Sequence, residues 1–576
     1  MRLAIAWTTL VAGAFFVDAT YPGPKEAAFK SSAFFGTPSL SQWDLTEEPS
    51  INSTSQLIFS TASSFLQHWP NTRYRNGHSI VPGMIPIGTL LYHGTDKNET
   101  PMVPEWTATD PEHSYIFCDG LENGRDCWHL TLVVTRPLKV LYFDGSSAAK
   151  LVGGPMDSQD LVAWGEVKPN WTFNEKQRIT DLCDWGKKFG IDGYLRMQMD
   201  FEIMLCDFSA AVKPVSFINL ASANPDRSRP GSPPPDSPPT LSQISALFRV
   251  LEAGNWYNDF PGDPRVKLDY ARLISFYDPV MFPSLQAARF GKERLEHRLD
   301  GISQADAKAF TVHLAEALKD DPQNSGTGVD WQSLIKVITN RFAERLEVLH
   351  YILNSTSTLM LETNATLKQA HRHITSMIMP YILHNSLPST TGPQSPNYSW
   401  AESVFMLCAT THTVYLETEE LLRELTPSER VLLRSVKEVT KEICRVLVGL
   451  WAEGIELGLG EPEPQNPQIA FSPRELEDQW KSRVESLIAW LDWSYWLRCR
   501  PDCGYEEMCY LPTWPFFHGW GPRQTPPKSH SLHDWIQAFL NNGGIFEDGL
   551  EEREWIDPQP RCIRRMEPLN FEYTPM

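Results

Sequence analysis

The 576-residue chain lacks the short signatures by which many enzymes are recognised. It contains no Gly-x-Ser-x-Gly elbow, no phosphate loop closing on Gly-Lys-Ser/Thr, no His-Glu-x-x-His and no dinucleotide Gly-x-Gly-x-x-Gly. Excess positive charge is missing too. At a formal net charge of −20, nothing would draw the chain to nucleic acid or to an anionic membrane surface over long range. After the first twenty residues no uncharged apolar run is long enough to span a bilayer, and the C-terminus carries no anchor signal. His371 and His373 stand two apart on an expected helix and point to different faces, which is wrong for a metal pair. Acidic pairs such as Glu419-Glu420 and Glu551-Glu552 read as solvated faces, and no internal repeat is visible.

What is present points to export. Met1-Arg2 supplies a charge, the run from Leu3 to Val17 is almost wholly apolar, and Val17-Asp18-Ala19 offers small residues for cleavage, so residues 1–19 read as a secretory signal. Six Asn-x-Ser/Thr sequons follow, at Asn52, Asn98, Asn170, Asn354, Asn364 and Asn397. The 10 cysteines are even in number. In an oxidising compartment they imply disulfides rather than metal, because the run Cys499, Cys503, Cys509 has neither a Cys-x-x-Cys nor a His-x-x-x-His companion. The expected pairs are Cys118–Cys127, Cys183–Cys206 and Cys408–Cys444, with two bridges among Cys499, Cys503, Cys509 and Cys562. The reading is a secreted, extracellular glycoprotein without a membrane span.

Length suggests two to four domains. Residues 20–80 are rich in Ser, Thr and Pro and read as an irregular N-terminal segment with one helix near 60–67. Residues 81–220 are mixed, with strands expected over 89–92, 105–109, 128–135, 140–143, 202–206 and 212–217 and a helix over 177–189 stopped by Gly190. A Pro-rich linker spans 221–240; its prolines lack the N–H that helices and sheets require. In 241–498 apolar residues recur every three or four positions, which predicts helices over 241–253, 266–276, 304–318, 331–354, 359–383, 403–425, 428–457 and 474–497. Thr426-Pro427-Ser428-Glu429 and Ser472-Pro473-Arg474-Glu475 have the form of helix starts. Residues 499–576 form a Cys-rich irregular tail. The fold class is therefore an α+β N-terminal domain, a mainly α-helical bundle domain and that tail.

Three segments carry the chemistry. Leu90-Leu91-Tyr92-His93-Gly94-Thr95 is a strand ending on His and Gly, and Gly94 allows close backbone approach to a ligand. Glu105-Trp106-Thr107-Ala108-Thr109-Asp110-Pro111-Glu112 is a strand running into a helix start. Gly190-Ile191-Asp192-Gly193-Tyr194 precedes Asp200-Phe201-Glu202-Ile203-Met204-Leu205, in which Glu202 opens an apolar strand. Their order and spacing resemble the NAD-binding core of the ADP-ribosyltransferase-like superfamily, in its His-Tyr-Glu branch. The resemblance covers roughly 88–217. Separately, Leu141-Tyr142-Phe143-Asp144-Gly145-Ser146-Ser147-Ala148 and Met156-Asp157-Ser158-Gln159-Asp160 resemble segments of uncharacterised fungal secreted proteins.

The resemblance implies a split sheet with NAD, as substrate, in its cleft. His93 and Gly94 would hold the ribose, Trp106 or, in a slipped register, Thr107 would brace the nicotinamide, and Glu202 would be the catalytic glutamate that stabilises the oxocarbenium-like cation. No metal is implied. Trp106 stands where the family has tyrosine; it can stack on a pyridinium ring but lacks the hydroxyl. Asp200 matches the arginine-modifying branch only weakly. Two functions follow: an ADP-ribosyltransferase or NAD glycohydrolase with a protein, small-molecule or water acceptor, or a catalytically inactive extracellular binding or structural protein on the same fold.

Overall fold

The computed structural model describes residues 43–117, 126–149, 153–197, 199–220, 241–319, 326–355, 360–384, 387–388, 396–460, 472–513 and 558–566. Cys118, the cleavage site and Asn397 lie outside this set or its described side chains. From Leu45 onward the chain forms one compact unit.

The sheet contains β1 (Ser79–Ile85), β2 (Leu90–Thr95), β3 (Glu105–Ala108), β4 (Cys127–Val134), β5 (Leu138–Phe143), β6 (Gly193–Met197), β7 (Phe201–Leu205), β8 (Val212–Leu220), β9 (Lys267–Leu268) and β10 (Ile274–Ser275). Their order is β10-β1-β5-β6-β7-β3-β2-β4-β8, with β9 also on β1. Only β5 and β6 run parallel. Parallel neighbours need a crossover connection, here supplied by α4 (Asp157–Trp164) and α5 (Glu175–Lys187). Earlier in the chain lie α1 (Ser55–Ser63), α2 (Trp69–Thr72) and α3 (Pro111–Tyr115). The sheet is pinched between β2 and β3, which share the single pair Tyr92–Ala108.

Helices dominate after the linker: α6 (Leu241–Asn255), α7 (Pro283–Arg289), α8 (Gln304–Ala317), α9 (Trp331–Asn354), α10 (Met360–Ile378), α11 (Glu402–Thr410), α12 (Glu419–Glu424), α13 (Pro427–Glu456) and α14 (Pro473–Leu491). The centre is α13. Thr426 caps it by accepting from the Glu429 N–H while Glu429 accepts from the Thr426 N–H, with Pro427 in the first turn. The buried stripe Leu433, Val436, Val439, Ile443 and Val446 faces the core, as its spacing requires. The described part of the N-terminal segment, from residue 43, is anchored: α1 buries Ile58, Phe59 and Ala62 and packs on α13, and Ser435 Oγ donates to the Ser55 carbonyl at 2.5 Å.

The linker does not separate two cores, which corrects the 81–220 and 241–498 boundaries. The stretch 266–276, expected as a helix, instead supplies β9 and β10 to the edge at β1. Behind the sheet Leu141, Phe143, Tyr194 and Met204 share one apolar cluster with Phe276, Phe282, Phe310 and Leu314 from beyond the linker. The physical reason is that these sheet residues, together with Leu161 and Ile179, leave an apolar face that later helices must cover. In the described part of the tail, β11 (Glu507–Tyr510) and β12 (Arg561–Arg564) pair antiparallel, a strand pair the sequence did not suggest. Met508 and Tyr510 pack with Trp69 and Phe248. Among the described residues the disulfides Cys183–Cys206, Cys408–Cys444, Cys499–Cys509 and Cys503–Cys562 are closed, and Cys127 is also disulfide-bonded. No helix among the described residues is long and apolar enough to cross a membrane.

One polar clamp joins the sheet to the chain beyond the linker. Asp110 stands at the N-cap of α3, yet its side chain makes no capping bond. Its carboxylate instead takes Arg265 at 2.8 Å, and Arg265 also holds Asp263 at 2.8 Å. Asp200, fully buried, is pushed far up by burial and then by the neighbouring Asp110. Replacing Arg265 with Met leaves the carboxylates of Asp110 and Asp263 without their guanidinium partner. We expect a loss of about 3–5 kcal/mol at pH 7, shrinking toward pH 5 as the stranded groups bind protons; denaturant melts at both pH values check this.

Candidate functional site

The sequence-derived residues sit on adjacent strands but do not converge. His93 on β2 is buried, with Nδ1 bonded to the Trp106 carbonyl at 2.7 Å and its ring edge-on to Phe208. Burial pushes its pKa down, opposed by that carbonyl, so the ring is neutral and Nδ1 carries the proton. Gly94 lies opposite His129. Thr107 is buried and donates Oγ1 to the Ile203 carbonyl at 3.2 Å, a bond within the sheet. Trp106 packs against the core behind the sheet.

Register decides which way each side chain projects. Ala108 is opposite Tyr92 on one side and Glu202 on the other, so Tyr92, Ala108 and Glu202 share a face. His93, one residue on, projects to the other face. Trp106, opposite Met204, goes with Glu202, whereas Thr107 goes with His93. The expected constellation is thus divided by the sheet itself.

Glu202 is committed to a buried ion-pair chain. Arg196, directly opposite it on β6, gives Nε to its carboxylate. Arg196 also donates to Glu175 at 2.6 Å and to Gln159 Oε1 at 3.0 Å. Glu175 is shared with Arg178 at 2.5 Å, and Arg178 reaches Asp160 at 3.0 Å. All five charged side chains are at most 7% exposed. Burial opposes charge on Arg196, but Glu175 and Glu202 outweigh it and hold the guanidinium firmly protonated. The second segment noted in the sequence, Met156-Asp157-Ser158-Gln159-Asp160, supplies Asp160 and Gln159 to this chain.

A solvent-reaching polar cleft lies elsewhere, and sequence reasoning did not find it. It is narrow, with about 20 Å³ of enclosed space, and its walls include Ser60, Thr61, Arg73, His78, Tyr277 and Arg294. The Tyr74 ring is sandwiched between Arg73 and Arg294, at 4.4 and 4.2 Å. Both guanidiniums close on Asp492, at 2.8 and 2.6 Å, and the Tyr74 hydroxyl donates to the same carboxylate at 2.6 Å. Burial pushes the Asp492 carboxyl up, but Arg294 and Arg73 outweigh it and hold it below its ordinary value. On the inner wall His78 stacks on Tyr277 at 4.4 Å and donates Nδ1 to the Asn76 carbonyl at 2.8 Å. Burial, and then the neighbouring Arg289 charge, keep this ring neutral.

Asp144 closes the floor. It accepts from the Ser79 N–H at 2.7 Å, and burial pushes its carboxyl up to about 7. The surrounding turn needs its glycines: Gly145 has φ +72°, and a side chain there would meet the Arg75 carbonyl at 2.5 Å. The signal available in sequence was Tyr142-Phe143-Asp144-Gly145-Ser146, which carried no role until the fold set it against His78.

Asp144 generates a pH prediction. Its native pKa lies above the ordinary 3.8, so its contribution is full below about pH 4 and is lost as pH rises through about 7. Asp144→Asn abolishes that titration. The stability difference, wild type minus variant, should fall by on the order of 4 kcal/mol between pH 4 and 8; urea melts across that range that show a constant difference contradict it.

Comparison with known proteins gives relatives rather than an activity. A family model described as the YPL277C N-terminal domain matches residues 50–129 and 122–230. The chain is 25% identical to the uncharacterized protein YOR389W of Saccharomyces cerevisiae, over 89% of this chain and 88% of that one. It is 27% identical to the uncharacterized protein YPL277C of the same yeast, over 53% of this chain and 76% of that one. No solved structure matches. The first similarity extends well past the linker, in keeping with a sheet and helices that share one core.

Proposed function

We propose that the chain is an exported binding or structural protein built on an ADP-ribosyltransferase-like sheet that does not turn over NAD. The fold reading is supported by the pinch at Tyr92–Ala108, which sets β2, β4 and β8 apart from the rest. It is supported further by His93, Trp106 and Glu202 lying on three neighbouring strands, β2, β3 and β7. Export is supported by the disulfides and by sequons whose Asn52, Asn98, Asn170 and Asn364 are exposed.

One observation carries the absence of turnover. Glu202 is 3% exposed and already neutralised by Arg196. To meet a ribose hydroxyl it would have to abandon that partner, leaving a buried guanidinium short of charge at a cost of several kcal/mol. Nor does it share a face with His93. The geometry makes this glutamate a structural anion.

The test compares the secreted protein with Glu202→Gln, in NAD consumption and in thermal unfolding. This reading expects background NAD loss from both proteins and a variant destabilised by about 3–5 kcal/mol. A catalytic glutamate gives the opposite pattern, with NAD consumed by the wild type, loss of activity in the variant and little change in stability.

A further inference from the structure

The chain carries a net charge of −20, yet this polar cleft gathers guanidinium groups. Arg73 and Arg294 form the rim. Arg289 lies behind, 4.7 Å from the centre of the Tyr277 ring, with Nη1 on the Phe276 carbonyl and with Nε and Nη2 lacking hydrogen-bond partners among the described residues. Against these three cations stand two carboxylates, Asp492 on the rim and Asp144 on the floor. Burial pushes Arg289 down to about 10, as expected for a cation with too little compensating charge.

The inner wall is also incomplete. His78 is 3% exposed and lines the cleft, and its Nε2 has no hydrogen-bond partner among the described residues. Because Nδ1 holds the proton, Nε2 is an acceptor and calls for a donor such as a hydroxyl. A buried polar atom left unbonded costs about 1–3 kcal/mol. The lining also carries the hydroxyls of Ser60, Thr61 and Ser64, the first two of which accept from Arg294 at 3.1 Å.

We infer that this cleft binds a small phosphate-type oxyanion carrying a hydroxyl group, with the oxyanion taking the place that the Asp492 carboxylate holds against Arg73, Arg294 and Tyr74. Two guanidiniums and a phenol around one anion are the donors that bind phosphate oxygens through several bonds at once. Asp492 acts as the internal stand-in. It is the residue just past α14, in the left-handed region at φ +47°, and its side chain is 22% exposed, so it can swing toward solvent without unpacking the helix. The ligand's hydroxyl would donate to His78 Nε2. The inference gives chemistry to the binding reading above, but its site shares no residue with the Glu202 chain, so either can fail alone.

The experiment is calorimetric titration of the full secreted protein with inorganic phosphate and with glycerol 3-phosphate, at constant ionic strength held with sodium chloride. Wild type should bind both saturably, glycerol 3-phosphate more tightly. Asp492→Asn, which removes the competing charge and keeps the side-chain size, should bind phosphate at least tenfold more tightly. Arg73→Gln, at the cleft rim, should weaken it at least tenfold, and His78→Phe should erase the preference for glycerol 3-phosphate. Absence of saturable heat in both wild type and Asp492→Asn overturns the inference, as does phosphate binding that Arg73→Gln leaves unchanged. Should Arg73→Gln fail to fold by circular dichroism, the direction of the Asp492→Asn effect decides, since unchanged or weaker binding refutes displacement of Asp492.

Discussion

The buried ion-pair chain from Asp160 through Arg178, Glu175 and Arg196 to Glu202 is the constraint on which the rest of this fold depends. It fixes the crossover helices α4 and α5 to the strands β6 and β7 through buried charges. Desolvating five charges is expensive, and the arrangement is stable only because every link has a partner, with Gln159 and the carbonyls of Trp171 and Thr172 taking the remaining guanidinium protons. A chain of this kind gives no freedom to its members. It sets the orientation of Glu202 and thereby its role.

The same logic of compensation organises the join across the linker. A sheet with a wide apolar back must be covered, and the cover is shared between α4 and α5 and residues 276–318 from beyond the linker. Arg265 then satisfies carboxylates that the strand-to-helix turn at Asp110 leaves inside. Linker composition therefore does not mark a border between independently packed bodies. The cleft at Asp492 belongs to the same assembly. Its walls come from α1, from α2 and the turn after it, from the end of β5 and from Tyr277 and Arg294 beyond the linker, with Asp492 after α14 bonded to the rim, so it exists only because the N-terminal and C-terminal parts of the chain fold together.

Much of the secondary structure was legible. The helix expected over 331–354 coincides with α9, and the strands at 105–109, 140–143 and 202–206 each lie within two residues of β3, β5 and β7. These segments have long periodic or alternating apolar patterns, where local chemistry and tertiary packing agree. Three failures share a cause. β1 contains Pro82 and Gly83, which weaken a strand signal; β6 carries Arg196 in an otherwise apolar run; and 266–276 has helical spacing but pairs at a sheet edge. In each, a distant partner overrides the local preference. At the site, the three motif strands were correctly read as elements, and they are neighbours. What sequence could not give was parity, because one residue of register moves a side chain to the opposite face. It also hid the counter-charge, since nothing near Glu202 in sequence marks Arg196 and Glu175 as its companions. The cleft was invisible for a similar reason: its rim joins Arg73, Arg294 and Asp492, which are hundreds of residues apart.

The central claim, that Glu202 is a structural member of a buried charge chain, is tested most directly by a double-mutant cycle on Arg196→Met and Glu202→Met, read as unfolding free energy. The account predicts that each single change is strongly destabilising and that the double variant is much less so than their sum, with a coupling of at least about 2 kcal/mol. Additive effects, with Glu202→Met alone close to neutral, would contradict it.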